Sequence, residues 1–108
     1  MTHSEAIKMV RGKTNRDTRK VGNNTYAEIL PDGSVGIMLH STCVVTIHED
    51  NTYTLKTGGW QTLTTKDRMN QYFPGYVRQH KGEWYVSVRD SNGNKKEFPF
   101  IENMVVQA

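Results

Sequence analysis

The chain has 108 residues, 35% of them apolar, and a formal charge of +3. That length suits one domain with a single core and requires no disulfide or metal to hold it. No apolar run approaches the about 20 residues of a membrane-spanning helix, and the N-terminus lacks a signal-peptide pattern. The single cysteine excludes an internal disulfide, so a reducing, intracellular setting is expected.

In chain order, Ser4 can cap a short helix through Ala6, Ile7, Met9 and Val10, with Gly12 stopping it. Lys8, Arg11, Lys13, Arg16, Arg19 and Lys20 follow one another with only Asp17 as counter-charge. Such a cluster can steer and neutralise a polyanion, which makes Arg16, Arg19 and Lys20 candidate phosphate contacts. It also suits a solvated arm. Thr14 to Lys20 shows no apolar periodicity and reads as a linker. Residues 1–20 are therefore expected to be a basic N-terminal arm, and 21–108 a single β domain.

From Val21 the period is two. Strands are expected at Thr25 to Leu30, Val35 to Leu39, Cys43 to His48 and Tyr53 to Thr57. Pro31-Asp32-Gly33-Ser34 and Glu49-Asp50-Asn51-Thr52 turn the chain between them. Strict alternation puts Cys43 on one face with Val45 and Ile47. Gly58-Gly59 breaks the pattern, and Trp60 precedes a helix over about 65–73. Thr64 or Thr65 would cap it, Asp67 suits its first turn, and Met69, Tyr72 and Phe73 share its face. Pro74-Gly75 ends it. Tyr76 to His80 and Glu83 to Arg89 flank the tight turn Lys81-Gly82. Trp84, Val86 and Val88 point one way; Tyr85, Ser87 and Arg89 point the other. Asp90 to Asn94 is a turn, and Lys95 to Phe100 and Met104 to Gln107 are the last strands. The fold class is mainly β: a small antiparallel meander, barrel- or sandwich-like, of about seven or eight short strands with one inserted helix.

Reactive chemistry finds little support. His40, Cys43 and His48 invite a zinc reading, but alternation aims the thiol away from both histidines, and zinc needs converging ligands. Cys43 reads as a core residue and not as an activated thiolate. Glu28, Glu83, Glu97 and Glu102 are scattered among polar neighbours, and Gly58-Gly59 lacks the spacing of a phosphate-binding loop. No catalytic residue, metal or cofactor is assigned, and the expectation is a protein that is not an enzyme.

The densest segment is Gly58 to Tyr72. A glycine pair allows close backbone approach, and a helix N-terminus suits anions. Thr64, Thr65, Lys66 and Arg68 add donors and charge, and Trp60 offers a stacking surface. Together they would suit a phosphate-bearing ligand. Tyr85 and Arg89, with Thr54 and Lys56, would lie outside the core as an aromatic-cation surface of the kind that meets single-stranded nucleic acid.

Asn23-Asn24-Thr25-Tyr26, Leu39-His40-Ser41-Thr42, Gly58-Gly59-Trp60 and Thr64-Thr65-Lys66-Asp67-Arg68-Met69-Asn70 come in an order that resembles small accessory proteins of tailed bacteriophages. The resemblance spans about Lys20 to Phe100. It implies a viral origin and expression in a host bacterial cytoplasm, and it carries over no activity and no site residues. The leading expectation is a non-enzymatic phage accessory protein that binds nucleic acid or a nucleotide, to counter host defence or regulate host processes. The alternative is a protein–protein inhibitor or structural module acting on a host or phage protein. No membrane partner is expected, and a homo-oligomer would cover a sheet edge.

Overall fold

The computed structural model describes residues 1–107. Its elements are helix α1 (His3–Arg11), strands β1 (Thr18–Gly22), β2 (Thr25–Ile29), β3 (Val35–Leu39), β4 (Thr42–Ile47) and β5 (Thr52–Leu55), helix α2 (Leu63–Tyr72), and strands β6 (Tyr76–His80), β7 (Glu83–Arg89), β8 (Lys95–Pro99) and β9 (Met104–Gln107). One sheet has the order β1-β2-β3-β4-β5-β9 and the other β6-β7-β8, with every neighbouring pair antiparallel. The mainly β meander with an inserted helix is thus present, as two open sheets and not one closed barrel.

The ninth strand is β1, which begins inside the segment read as a linker and takes its last three residues. Its side chains are exposed or half-buried throughout. It pairs through its backbone, with Arg19 opposite Ala27 and Lys20 opposite Tyr26. An edge strand that buries little leaves no apolar period to read.

Val35, Ile37, Val45, Ile47 and Leu55 are fully buried on the inner face of the large sheet. Burying one such side chain contributes about 1.5–3 kcal/mol. Helix α1 lies against β1, β2 and β3, while α2 lies against β3, β4 and β6. Ala6 and Val10 of α1, Met69 and Tyr72 of α2, and Phe73 at its C-cap complete the same core. The expected face of the inserted helix is therefore the one that packs. The start of the chain is held as well. The Tyr53 hydroxyl donates to the Met1 carbonyl at 2.6 Å, and the Asn51 side chain accepts the His3 amide at 2.8 Å.

Both helix caps lie earlier than the sequence suggests. Thr2, not Ser4, caps α1: its hydroxyl accepts the Glu5 amide at 3.2 Å while the Glu5 carboxylate accepts the Thr2 amide at 2.9 Å. Thr62, not Thr64 or Thr65, caps α2 by accepting the Thr65 amide at 3.2 Å. Thr65 itself is buried and turns its hydroxyl back to Thr62 at 3.1 Å.

Cys43 is not on the face of Val45 and Ile47. Ile37 pairs with Val45 while the next residue, Met38, pairs with Cys43, so Val44 is the extra residue of a β-bulge. The bulge resets the alternation. Cys43 Sγ lies 3.3 Å from Thr46 Oγ1 and 3.5 Å from the Val45 carbonyl. It also fills the space where a side chain on Gly36 would sit. The thiol remains half-buried, and burial raises its pKa above the ordinary thiol value.

Candidate interaction surface

The segments singled out in the sequence meet at one end of the large sheet. The β3–β4 turn carries His40, whose φ of 55° is in the left-handed region, and its amide donates to the Asn24 carbonyl at 2.8 Å. This ties the β3–β4 turn to the β1–β2 turn. Arg68 reaches the same place from α2: its Nε donates to Thr25 Oγ1 at 2.8 Å and its Nη2 to the Asn23 carbonyl at 3.4 Å. Gly58 packs so closely that a Cβ there would meet Thr42 Cγ2 at 2.9 Å. Four separated stretches of chain thus form one corner.

The start of the glycine-pair loop already carries an internal anion. Glu102, from the β8–β9 turn, accepts the Thr57 amide at 2.6 Å, the Thr57 hydroxyl at 2.7 Å and the Gly58 amide at 3.0 Å. The loop amides that could cradle an anion already hold the chain's own carboxylate. Burial raises the Glu102 pKa, but these three donors lower it further, and the net position is below the ordinary carboxylate value. Arg68 is engaged at Thr25 and Asn23. Lys66 stands over the buried Trp84 ring, with Nζ 5.8 Å from its centroid.

The corner exposes two large apolar side chains among polar ones. Trp60 is 68% exposed and Leu63, in the first turn of α2, is 70% exposed. Trp60 also walls a cleft of about 200 Å³, lined with Leu39, His40, Thr42, Thr57 and Thr65. Thr64 is exposed beside them. An uncovered tryptophan presents much apolar area with few rotatable bonds, the kind of side chain that anchors protein interfaces.

The remaining candidates lie elsewhere. Tyr85, on β7, is half-buried, with the Arg78 guanidinium 5.1 Å from its ring centre. Arg78 in turn makes two hydrogen bonds to Glu97, at 2.8 and 2.7 Å. That ring face is covered and offers no open stacking platform. Arg89 donates to the Gly93 carbonyl at 3.0 Å in its own hairpin. Near the N-terminus, Arg19 donates to the Met9 carbonyl at 3.1 Å, within the last turn of α1, where positive charge suits the helix dipole. Arg16 donates to Thr14 at 2.8 Å, and Lys20 is exposed on β1. The ten candidates therefore occupy three places: the corner, the α1–β1 segment and the small sheet.

Two residues of the corner escaped sequence reasoning. Leu63 reads as an ordinary apolar residue before a helix. Glu102 reads as one scattered acid, and nothing local connects it with Thr57, 45 positions away. Among the described residues, no group of three or more histidine, cysteine or acidic side chains is placed to hold a metal ion. No helix among them is long and apolar enough to cross a membrane.

No curated protein and no solved structure shows detectable similarity to the chain. A family model described as Kyanoviridae Gp96 protein matches residues 2–107, so the chain belongs to that family of phage proteins.

Proposed function

We propose that this phage protein acts by occupancy, docking on another protein of the host or the phage through the corner that carries Trp60 and Leu63. One observation carries the reading: both side chains are about two-thirds uncovered on a corner that is otherwise held by internal hydrogen bonds. A preformed surface with an aromatic anchor loses little freedom on binding. Action without turnover is supported by the state of the reactive groups. Burial raises the Cys43 thiol above its ordinary pKa, and the Glu97 and Glu102 carboxylates are engaged by neighbours.

The test is affinity capture from nuclease-treated host lysate with wild type and with a Trp60→Ala/Leu63→Ser variant. Wild type is expected to retain a protein in stoichiometric amount, and the variant to lose it while unfolding at the same temperature. Equal capture by both proteins, or no captured protein, refutes the reading.

A second reading has its own observation. Lys8, Lys13, Arg16, Arg19 and Lys20 cluster along α1, its following loop and β1, while Asp17 pairs with Arg11 at 3.5 Å. A cationic surface of this kind supports contact with nucleic acid by counterion release. Filter binding over a salt series tests it. Affinity should fall steeply with salt, and an absence of binding at low salt removes it.

A further inference from the structure

The two open sheets leave four edges, and three of them are guarded. On β6, the Asn70 side chain occupies the outward backbone groups of Val77. Strand β8 carries Lys95, Lys96 and Pro99, and β1 carries Arg19 and Lys20. Charge and proline are ordinary devices against edge pairing. Strand β9, reading Met104-Val105-Val106-Gln107, has neither.

The outward groups of β9 can be identified from the ladder beside it. The Lys56 amide donates to the Val44 carbonyl, and the His48 amide to the Thr52 carbonyl, so Thr52 and Lys56 face β4. Alternation turns Tyr53 and Leu55 towards β9, as the Asn103 amide bonding to the Leu55 carbonyl shows. Val106 is the partner of Tyr53, so the N–H and C=O of Val105 point away from the sheet. The Val105 side chain is 64% exposed, and Ile101 (66%) and Phe98 (42%) are exposed along the same groove of about 950 Å³ between β8 and β9.

We propose that this edge binds a second copy of the chain, β9 against β9 about a two-fold axis at Val105. An antiparallel pair centred there lets each Val105 satisfy the other's amide and carbonyl, the self-complementary arrangement a two-fold interface requires. Charge selects the partner. Identical β9 strands bring no like charges together, whereas β1 or β8 paired with itself would oppose cations across the ladder. A stable pair buries about 1,200–2,000 Å², more than one short strand supplies, so the dimer must also cover Ile101 and Phe98.

Sedimentation of the full chain over a dilution series tests the pairing. Wild type should pass from dimer to monomer on dilution. Val105→Pro removes only an outward N–H, which an edge strand tolerates, and Val105→Lys adds a charge at the axis. Each should raise the dimer dissociation constant at least about tenfold. Tyr76→Ser, on the guarded strand β6, should leave it unchanged. If Val105→Pro fails to fold, Val105→Lys gives the reading. Wild type that stays monomeric throughout, leaving the edge to some other strand, overturns the proposal. So does a folded Val105→Lys variant that dimerises as tightly as wild type.

Discussion

The Asn70 carboxamide exchanges two hydrogen bonds with the backbone of Val77, donating to its carbonyl at 2.9 Å and accepting its amide at 2.7 Å. A helix side chain thus serves the edge of β6 as a neighbouring strand would, and it fixes α2 against the small sheet. Asn70→Ala leaves both Val77 groups without that partner. The expected loss is about 1–3 kcal/mol of stability for the clasp. At about 4–8 °C per kcal/mol for a chain of this size, thermal unfolding resolves it. Asn70→Asp keeps an acceptor for the amide but offers the carbonyl no donor, so it should also destabilise. Unchanged melting in both variants would show that the clasp contributes nothing.

The glycine pair separates two costs that usually occur together. Gly58 and Gly59 both have positive φ, at 64° and 91°, but only Gly58 is crowded. Gly59→Ala should cost about 1–2 kcal/mol, from backbone conformation alone. Gly58→Ala adds a clash with Thr42 and should cost more. Thr42→Ala in the Gly58→Ala background should recover part of the excess, and none of the loss in Gly59→Ala. A double-mutant cycle by urea denaturation measures this coupling, and zero coupling would place the crowding elsewhere.

Most strands were legible because one face of the large sheet is buried and side chains alternate. Val35, Ile37 and Leu39 show that rule without interruption. Strand β1 was not legible, because backbone pairing leaves no mark on its side chains. The bulge at Val44 was hidden too: Cys43, Val45 and Ile47 keep an apolar alternation whether or not Val44 is looped out. The Asn-Asn-Thr, Leu-His-Ser-Thr and Gly-Gly-Trp stretches come together at one corner, and their phage resemblance agrees with the family match. Their internal partners were not legible, because the groups that satisfy Gly58 and Arg68 come from distant turns. A glycine pair looks the same in sequence whether the amides at its start await an anion or already hold Glu102.

That internal carboxylate makes a pH prediction. The folded Glu102 carboxyl is held below its ordinary value of 4.5: burial opposes this, and the Thr57 hydroxyl with the Thr57 and Gly58 amides outweighs it. A carboxyl whose pKa is lowered by folding stabilises the fold above its unfolded value. That contribution is lost as pH falls through the lower, folded value. Glu102→Gln should therefore be less stable than wild type at neutral pH, and the difference should shrink in acid. Asp32, Asp50 and Glu97 are lowered as well and contribute to acid sensitivity in both proteins, so the difference between them isolates Glu102. Paired denaturation curves across the acid range check it, and a constant difference would show that Glu102 is not titrating against the loop.

Arg68 separates a binding role from a structural one. Its Nε donates to the hydroxyl of Thr25, a residue with no exposed surface, and that hydroxyl in turn donates to the Asn23 carbonyl at 2.7 Å. The guanidinium thereby links α2 to the β1–β2 turn through a side chain that water does not reach. Arg68→Ala leaves the Thr25 oxygen without its charged donor and should cost about 1.5–3 kcal/mol. Arg68→Lys should recover only part of this, since an ammonium lacks the fork that reaches Thr25 and Asn23 together. A residue reserved for an external anion would behave in the opposite way: its removal would relieve charge repulsion with little loss of stability. Thermal melts of wild type, Arg68→Ala and Arg68→Lys decide between them, because only the structural role predicts melting temperatures falling in that order from wild type through lysine to alanine.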